Sequence, residues 1–293
     1  MSVLAQTLAL NGAADLYAAL RISGINAEDL ADIVNAVDIE TAARLRSADQ
    51  GLLRVILRQA AGLPATPVVQ IVKAYLEQVS AAPLFLPALA DTPTLALLTQ
   101  GQHPDMPAFS DRAFDRWFST KAVRYGLGSY GERRSVYSTD QFADRLSPEK
   151  RTIHLGIDVF TNAGTPVYAP LPGRVLHLTY NGDHLDYGHT LILEHDAEGT
   201  SFYSLYGHLG STLPALCHVG SRVEPGQLIA HIGDWHENGG WAPHIHFQVM
   251  TDMLEQRDGN FFGVGHPSLW DVWSAICIDP NLILRLPNTA FQV

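Results

Sequence analysis

His189-Thr190-Leu191-Ile192-Leu193-Glu194-His195, Asp196-Ala197-Glu198-Gly199 and Ser201-Phe202-Tyr203-Ser204-Leu205-Tyr206-Gly207-His208 follow one another almost without a break, and their reading decides the fold. Two strand-length runs rich in β-branched and aromatic residues flank a short loop holding Asp and Gly, the pattern of an antiparallel hairpin. Similar runs lie on either side: Pro166-Val167-Tyr168-Ala169, Arg174 to Tyr180, Gln227 to Ile232 and His244 to Met250. Gly, Asn-Gly and Pro separate them at the roughly 8–12-residue spacing of an antiparallel sheet or sandwich. This texture begins at about Tyr125.

The first third reads differently. Asp15 to Leu20 and Ala27 to Val34 are Ala/Leu-rich with apolar residues three to four apart, which predicts helices. Further helices are expected from Ala48 to Ala61, ended by Gly62 and Pro64, and from Val68 to Val79. The expected fold class is therefore α+β. A helical domain of unknown role spans residues 1–90, a connector holding Pro93, Pro104 and Pro107 spans 91–124, a β domain spans 125–266, and a C-terminal helix and tail span 267–293. A short helix is expected in the connector at Arg112 to Phe118, and another from Ser268 to Ile276.

Composition narrows the function. The 293 residues are 46% hydrophobic and 17% charged, enough for a sizeable core. Nineteen basic against 30 acidic residues give a net charge of −11, so neither nucleic acid nor an anionic membrane is an expected partner. Cys217 and Cys277 form no motif and are expected as reduced, buried thiols. No basic residue precedes Arg21, and no apolar run approaches the ~18 residues of a membrane span. The expectation is a chain without an export signal, in the cytoplasm. Of 13 histidines, His103 alone precedes residue 154 and twelve lie between His154 and His266, which puts the chemistry in the β-rich part.

Within that part four pieces stand out: His154-Leu155-Gly156-Ile157-Asp158, Tyr206-Gly207-His208-Leu209, His244-Ile245-His246, and the Gly-flanked turn Ser129-Tyr130-Gly131-Glu132-Arg133. Residues i and i+2 of a strand share a face, so His244 and His246 can look into one pocket. The even spacing of His154 and Asp158 lets an extended segment aim both the same way, with Leu155 and Ile157 turned to the core. Two imidazoles, one carboxylate and an open position would satisfy a catalytic zinc, and the remaining histidines would stand beside its water. Spacing alone does not say which are which.

The ordered set resembles the LytM-type zinc metallopeptidases, the glycyl-glycine endopeptidase family with a duplicated-hybrid-motif β fold. The likeness covers about Tyr125 to Met250. Gly128 to Arg133 is similar to the family's S-x-F-G-x-R, and His154 to Asp158 to its H-x-G-x-D. Gly164 to Ala169 with Gly173-Arg174-Val175 is similar to G-T-P-V-x-A…G-x-V, and Tyr206 to Leu209 to Y-x-H-L. Val219 to Gln227 is similar to V-G-x-x-V-x-x-G-Q, and Ala242 to Gln248 to G-P-H-L-H-F-E, with Ala242 and Gln248 in place of Gly and Glu. The resemblance implies one Zn2+ per chain on His154, Asp158 and His246, with His208 and His244 as catalytic groups, one the general base and one steadying the oxyanion. It implies hydrolysis of peptide bonds, in peptidoglycan stems or glycine-rich bridges. Tyr130, Arg133, Trp235 and Trp241 are expected in the substrate cleft.

From Phe114 through Asp279-Pro280-Asn281-Leu282 the chain also resembles the peptidase-like segment of large bacterial chains, between a phosphotransferase-like and a class-III aminotransferase-like domain. That context implies a cytoplasmic setting. It leaves two alternatives: a cytosolic zinc hydrolase of a small metabolite amide or ester, or a non-catalytic metal-binding module of a multi-enzyme chain. A lipoyl- or biotinyl-type carrier is excluded within the β domain, because no lysine follows Lys150.

Overall fold

The computed structural model describes residues 3–99, 103–134 and 140–292. Its helices are α1 (Val3–Leu10), α2 (Leu16–Ile22), α3 (Leu30–Ala36), α4 (Ile39–Arg46), α5 (Gln50–Ala60), α6 (Val69–Gln78), α7 (Ala113–Ser119), α8 (Leu213–Leu216), α9 (Trp270–Ile276) and α10 (Asn281–Leu284). Its strands are β1 (Thr94–Ala96), β2 (Tyr125–Gly128), β3 (Ile153–His154), β4 (Ile157–Phe160), β5 (Pro166–Tyr168), β6 (Gly173–Asn181), β7 (Gly188–Ala197), β8 (Thr200–Leu209), β9 (Arg222–Val223), β10 (Leu228–His231), β11 (His244–Met250), β12 (Val264–Gly265) and β13 (Cys277–Ile278).

The predicted hairpin is β7 and β8, but its loop is tighter than the four residues expected. The strands run to Ala197 and resume at Thr200. Glu198 and Gly199 both take positive φ, 54° and 89°, the two-residue turn whose twist matches that of the strands. From this hairpin a sheet extends in the order β1-β2-β4-β11-β8-β7-β6-β9, with β13 pairing to the end of β11. The β1–β2 pair is parallel and the other pairs are antiparallel. No expected strand corresponds to β1, which lies inside the expected connector. A three-residue edge strand in parallel pairing has no turn beside it to announce it.

Every residue of β11 is buried, so its alternation sorts residues between two interiors. Ile245, Phe247 and Val249 join Tyr206, Leu191 and Leu193 on one face, packed against α6 and the β5–β10 pair. On the other face Met250, Leu205 and Ile192 share a core with Leu16, Leu20, Leu45, Leu53 and Ile56 of the N-terminal helices and with Trp273 of α9. His244 and His246 lie on this second face. The helices start where Asp side chains accept amides of the first turn: Asp15 from Ala18, Asp38 from Thr41 and Asp49 from Leu52. Cys217 and Cys277 are buried free thiols. Among the described residues no helix is long and apolar enough to cross a membrane.

His195 sits inside the hairpin as a buried, neutral group. Its Nδ1 donates to Pro172 O at 2.7 Å and its Nε2 lies 2.6 Å from Ser204 Oγ. Burial pulls its pKa down to about 4. The unfolded chain, with an ordinary histidine pKa of about 6.5, then holds the proton that the folded chain refuses. The contribution is fully present above pH 6.5 and is lost as pH falls toward 4, amounting to about 3 kcal/mol. Urea denaturation of the metal-free chain should show this loss from pH 7 to 4.5, and His195→Gln should shrink it. An equally steep loss in the variant would remove His195 as its source.

Candidate metal centre and cleft

Asp158 and His246 face each other across the β4–β11 ladder, in register with Gly128 and Gly207 on the outer neighbours. Cross-strand partners on one face of a sheet are within side-chain reach. His154 arrives differently from the extended segment expected. β3 belongs to a separate two-stranded sheet with β12, and the chain kinks at Leu155-Gly156 before β4 begins. The kink brings Gly156 against the imidazole of His246: a Cβ there would lie 2.7 Å from its Nε2 and 2.8 Å from Phe247 O. The glycine of the H-x-G-x-D element is therefore demanded by close approach.

Three ligand atoms converge. His154 Nε2 lies 3.0 Å from His246 Nδ1 and 3.2 Å from Asp158 Oδ1, and His246 Nδ1 lies 3.1 Å from the same Oδ1. The outer atoms fix the protons. His154 Nδ1 donates to Ser129 O at 2.9 Å, and His246 Nε2 donates to Gln248 Oε1 at 2.8 Å. Asp158 Oδ2 accepts from Arg134 Nη1 at 2.6 Å. With a proton on each outer nitrogen, the inner nitrogens can both offer a lone pair beside the same carboxylate oxygen. Ligands about 2.0–2.2 Å from a tetrahedral zinc stand about 3.3–3.5 Å from one another, close to the spacing found. The donor set fits a divalent cation. Burial raises the Asp158 pKa, but His154 and Arg134 outweigh it and hold the carboxyl well below its ordinary range. Burial and the Arg134 charge keep His154 neutral.

His208 and His244 stand beside this cluster. His208 takes a positive φ of 61°, at a register shift where β8 spends an extra residue against β7. A bulge of this kind re-aims a side chain that the regular alternation would send elsewhere. Its Nδ1 donates to Asn238 O at 2.8 Å. His244 Nδ1 donates to Ala242 O at 2.7 Å, and its ring stacks on Phe160. The two rings lie 4.2 Å apart, and His244 Nε2 is 3.9 Å from Asp158 Oδ1. Burial pulls His244 down to about 4 and, with the neighbouring His244, holds His208 well below its ordinary value. Both are neutral near pH 7, each with an unprotonated Nε2.

These groups open on a cleft of about 260 Å³ whose walls include Trp241, Tyr187, Phe109, Phe142, Arg151 and Asp186. Of the four residues expected in the cleft, Trp241 lines it. Trp235 is buried behind it, its Nε1 donating to Asp115 Oδ2 at 2.7 Å. Tyr130 packs on Trp270 and donates to Cys277 O at 2.5 Å. Arg133 is exposed, and its neighbour Arg134 enters the site instead. Adjacent residues of an extended segment point to opposite sides, so a motif match displaced by one position turns the wrong guanidinium inward. Arg134 and Gln248 were missed as functional partners. Gln248 also has a signal of its own: its Nε2 donates to Phe262 O at 3.1 Å, a bond that the carboxylate usual at this position cannot make.

Residues 152–258 match the profile of Peptidase family M23. The glycyl-glycine endopeptidase ALE-1 of Staphylococcus capitis is 35% identical over 108 residues, 36% of this chain and 26% of that protein. Lysostaphin of Staphylococcus staphylolyticus is 32% identical over 107 residues, 35% of this chain and 19% of that protein. The chain thus spans about a quarter or less of the length of these relatives. The catalytic domain of the antimicrobial peptidase lysostaphin from Staphylococcus simulans aligns over 53% of this chain and 96% of its own, at 23% identity and a TM-score of 0.33. The relatives correct the expected cytoplasmic location. The curated relatives ALE-1 and lysostaphin point to an extracellular rather than a cytoplasmic setting.

Gln248 orients His246, and loss of such an outer partner typically costs about 10–100-fold in metal affinity. Zinc titration against a chelating dye should show that loss for Gln248→Leu. Unchanged affinity would mean that His246 needs no partner.

Proposed function

We propose that this chain, of which residues 152–258 match the profile of Peptidase family M23, is a zinc-dependent endopeptidase of that family. In this reading His154, Asp158 and His246 hold one Zn2+ per chain, and residues 125–266 are the catalytic unit. The observation that carries it is the facing of two imidazole lone pairs and one carboxylate oxygen within 3.0–3.2 Å of one another. When bound, the ion acts as a Lewis acid on the scissile carbonyl and makes a water acidic enough to attack near neutral pH.

The chain's own groups do the rest. Arg134 bonds Asp158 through Oδ2 and leaves Oδ1 for the cluster. Ser129 O and Gln248 Oε1 hold the two ligand rings in the required tautomers. His208 and His244 present unprotonated Nε2 atoms, so either can take the proton of the attacking water and return it to the departing amine. The other, once it has taken a proton from solvent, donates to the oxyanion that develops on the carbonyl oxygen. The pull of burial on both pKa values keeps a proton acceptor available near neutral pH.

The substrate is a peptide that fits the aromatic cleft. The name of the relative ALE-1, a glycyl-glycine endopeptidase, supports glycyl-glycine bonds as the class to try first.

Asp158→Ala should lower bound zinc from near one per chain to a small fraction, measured by elemental analysis after dialysis. His208→Ala and His244→Ala should retain the metal yet lose about 10²–10⁴-fold in kcat on pentaglycine or peptidoglycan fragments. Full zinc occupancy in Asp158→Ala would overturn the ligand assignment. Undiminished kcat in both histidine variants would overturn the mechanism.

A further inference from the structure

Two stretches with little regular structure build one side of the cleft, and the N-terminal helices hold both from behind. The first is 140–151, which contributes Phe142 and Arg151 to the lining. Leu16 N donates to Leu146 O at 2.7 Å, and Tyr17 Oη donates to Asp144 Oδ2 at 2.6 Å. Arg44 of α4 donates through Nε to Arg145 O at 2.8 Å and through Nη2 to Leu146 O at 3.2 Å. Its Nη1 and Nη2 also reach Ala13 O at 2.6 Å and Ala14 O at 3.0 Å, in the turn between α1 and α2. One planar guanidinium thus ties four carbonyls of two separate segments, a use of its fixed fork that a lysine could not reproduce.

The second stretch surrounds Gln256, another lining residue. Asp49 caps α5 with Oδ1 and, with Oδ2, accepts from Gln256 Nε2 at 2.8 Å and Glu255 N at 3.2 Å. Arg54 pairs with Glu255 at 2.8 Å. Gly51 lets α5 approach so closely that a Cβ there would stand 2.9 Å from Leu254 Cα. Neither Arg44 nor Asp49 lines the cleft.

We propose that the N-terminal helices are a brace for the cleft wall, with Arg44 and Asp49 as positioning residues, so that substrate affinity is set partly by helices that touch no substrate. An irregular segment left untied loses order readily, because its backbone entropy is opposed by few contacts of its own. A wall that must be ordered on binding lowers affinity without altering the groups at the metal cluster. The kinetic part of this proposal rests on the peptidase reading above, whereas its structural part does not.

The test uses the full chain and three variants, Arg44→Ala, Asp49→Ala and the milder Tyr17→Phe. Hydrogen exchange read by mass spectrometry should be about fivefold faster or more at 142–151 in Arg44→Ala and Tyr17→Phe, and at 253–258 in Asp49→Ala. Exchange at 244–250 and zinc affinity should stay as in the parent. On the peptide that the parent cleaves, KM should rise about fivefold or more with kcat preserved. Unaltered exchange of the two stretches in all three variants would overturn the brace. So would equal acceleration at 244–250, or a fall in kcat with KM unchanged. Should the parent hydrolyse no peptide, the exchange data still decide the brace, and the failure belongs to the peptidase reading alone.

Discussion

Two imidazole lone pairs and a carboxylate oxygen face one another at the buried end of the cleft, and much of the surrounding structure keeps them so. Without a cation the lone pairs repel, and the carboxylate is 2% exposed, far from the water that would solvate it. The outer partners prevent escape. Ser129 O and Gln248 Oε1 keep protons on the far nitrogens, and Arg134, itself 1% exposed, neutralises the carboxylate from the other side. Arg134 in turn meets Glu132 at 2.9 Å, and Glu132 accepts from the amide and hydroxyl of Thr99. The order runs from the connector through the first turn into the site.

The sheet makes this arrangement by register. One antiparallel ladder sets Asp158 opposite His246, and a slip of β11 by one residue would turn His246 to the other interior and away from Asp158. Two departures from regularity complete it. The kink at Gly156 lets His154 reach its neighbours from a different sheet, and the bulge at His208 turns a ring toward the cluster where alternation would have packed it elsewhere. The helical region shares its apolar core with the same sheet face through Leu205, Met250 and Ile192. Site and helices are thereby built on one surface.

Much of this was legible in the sequence because it depends on short-range periodicity. The β7–β8 hairpin follows from alternation and a Gly-containing turn, and His244 with His246 from the two-residue repeat of a strand. Helix α5 follows from apolar spacing with a stop at Gly62. The parts that escaped depend on contacts distant in sequence. The edge strand β1 is defined by a parallel partner some thirty residues away. Arg134 differs from Arg133 only in parity, which a loop leading into a two-residue strand does not announce. Trp235 and Tyr130 have the aromatic character of cleft residues, yet each satisfies its polar atom on structural partners away from it, Asp115 and the Cys277 carbonyl. The cytoplasmic expectation rests on the first twenty residues and on the likeness to a segment of large bacterial chains, and the curated relatives set it aside.

The central claim concerns a single point in space, and diffraction from zinc-loaded crystals at the zinc absorption edge addresses it directly. The account predicts one anomalous peak about 2.0–2.2 Å from His154 Nε2, Asp158 Oδ1 and His246 Nδ1, with the His208 and His244 Nε2 atoms beside it and not ligated. A peak held by other residues, or none between these three after loading, would contradict it.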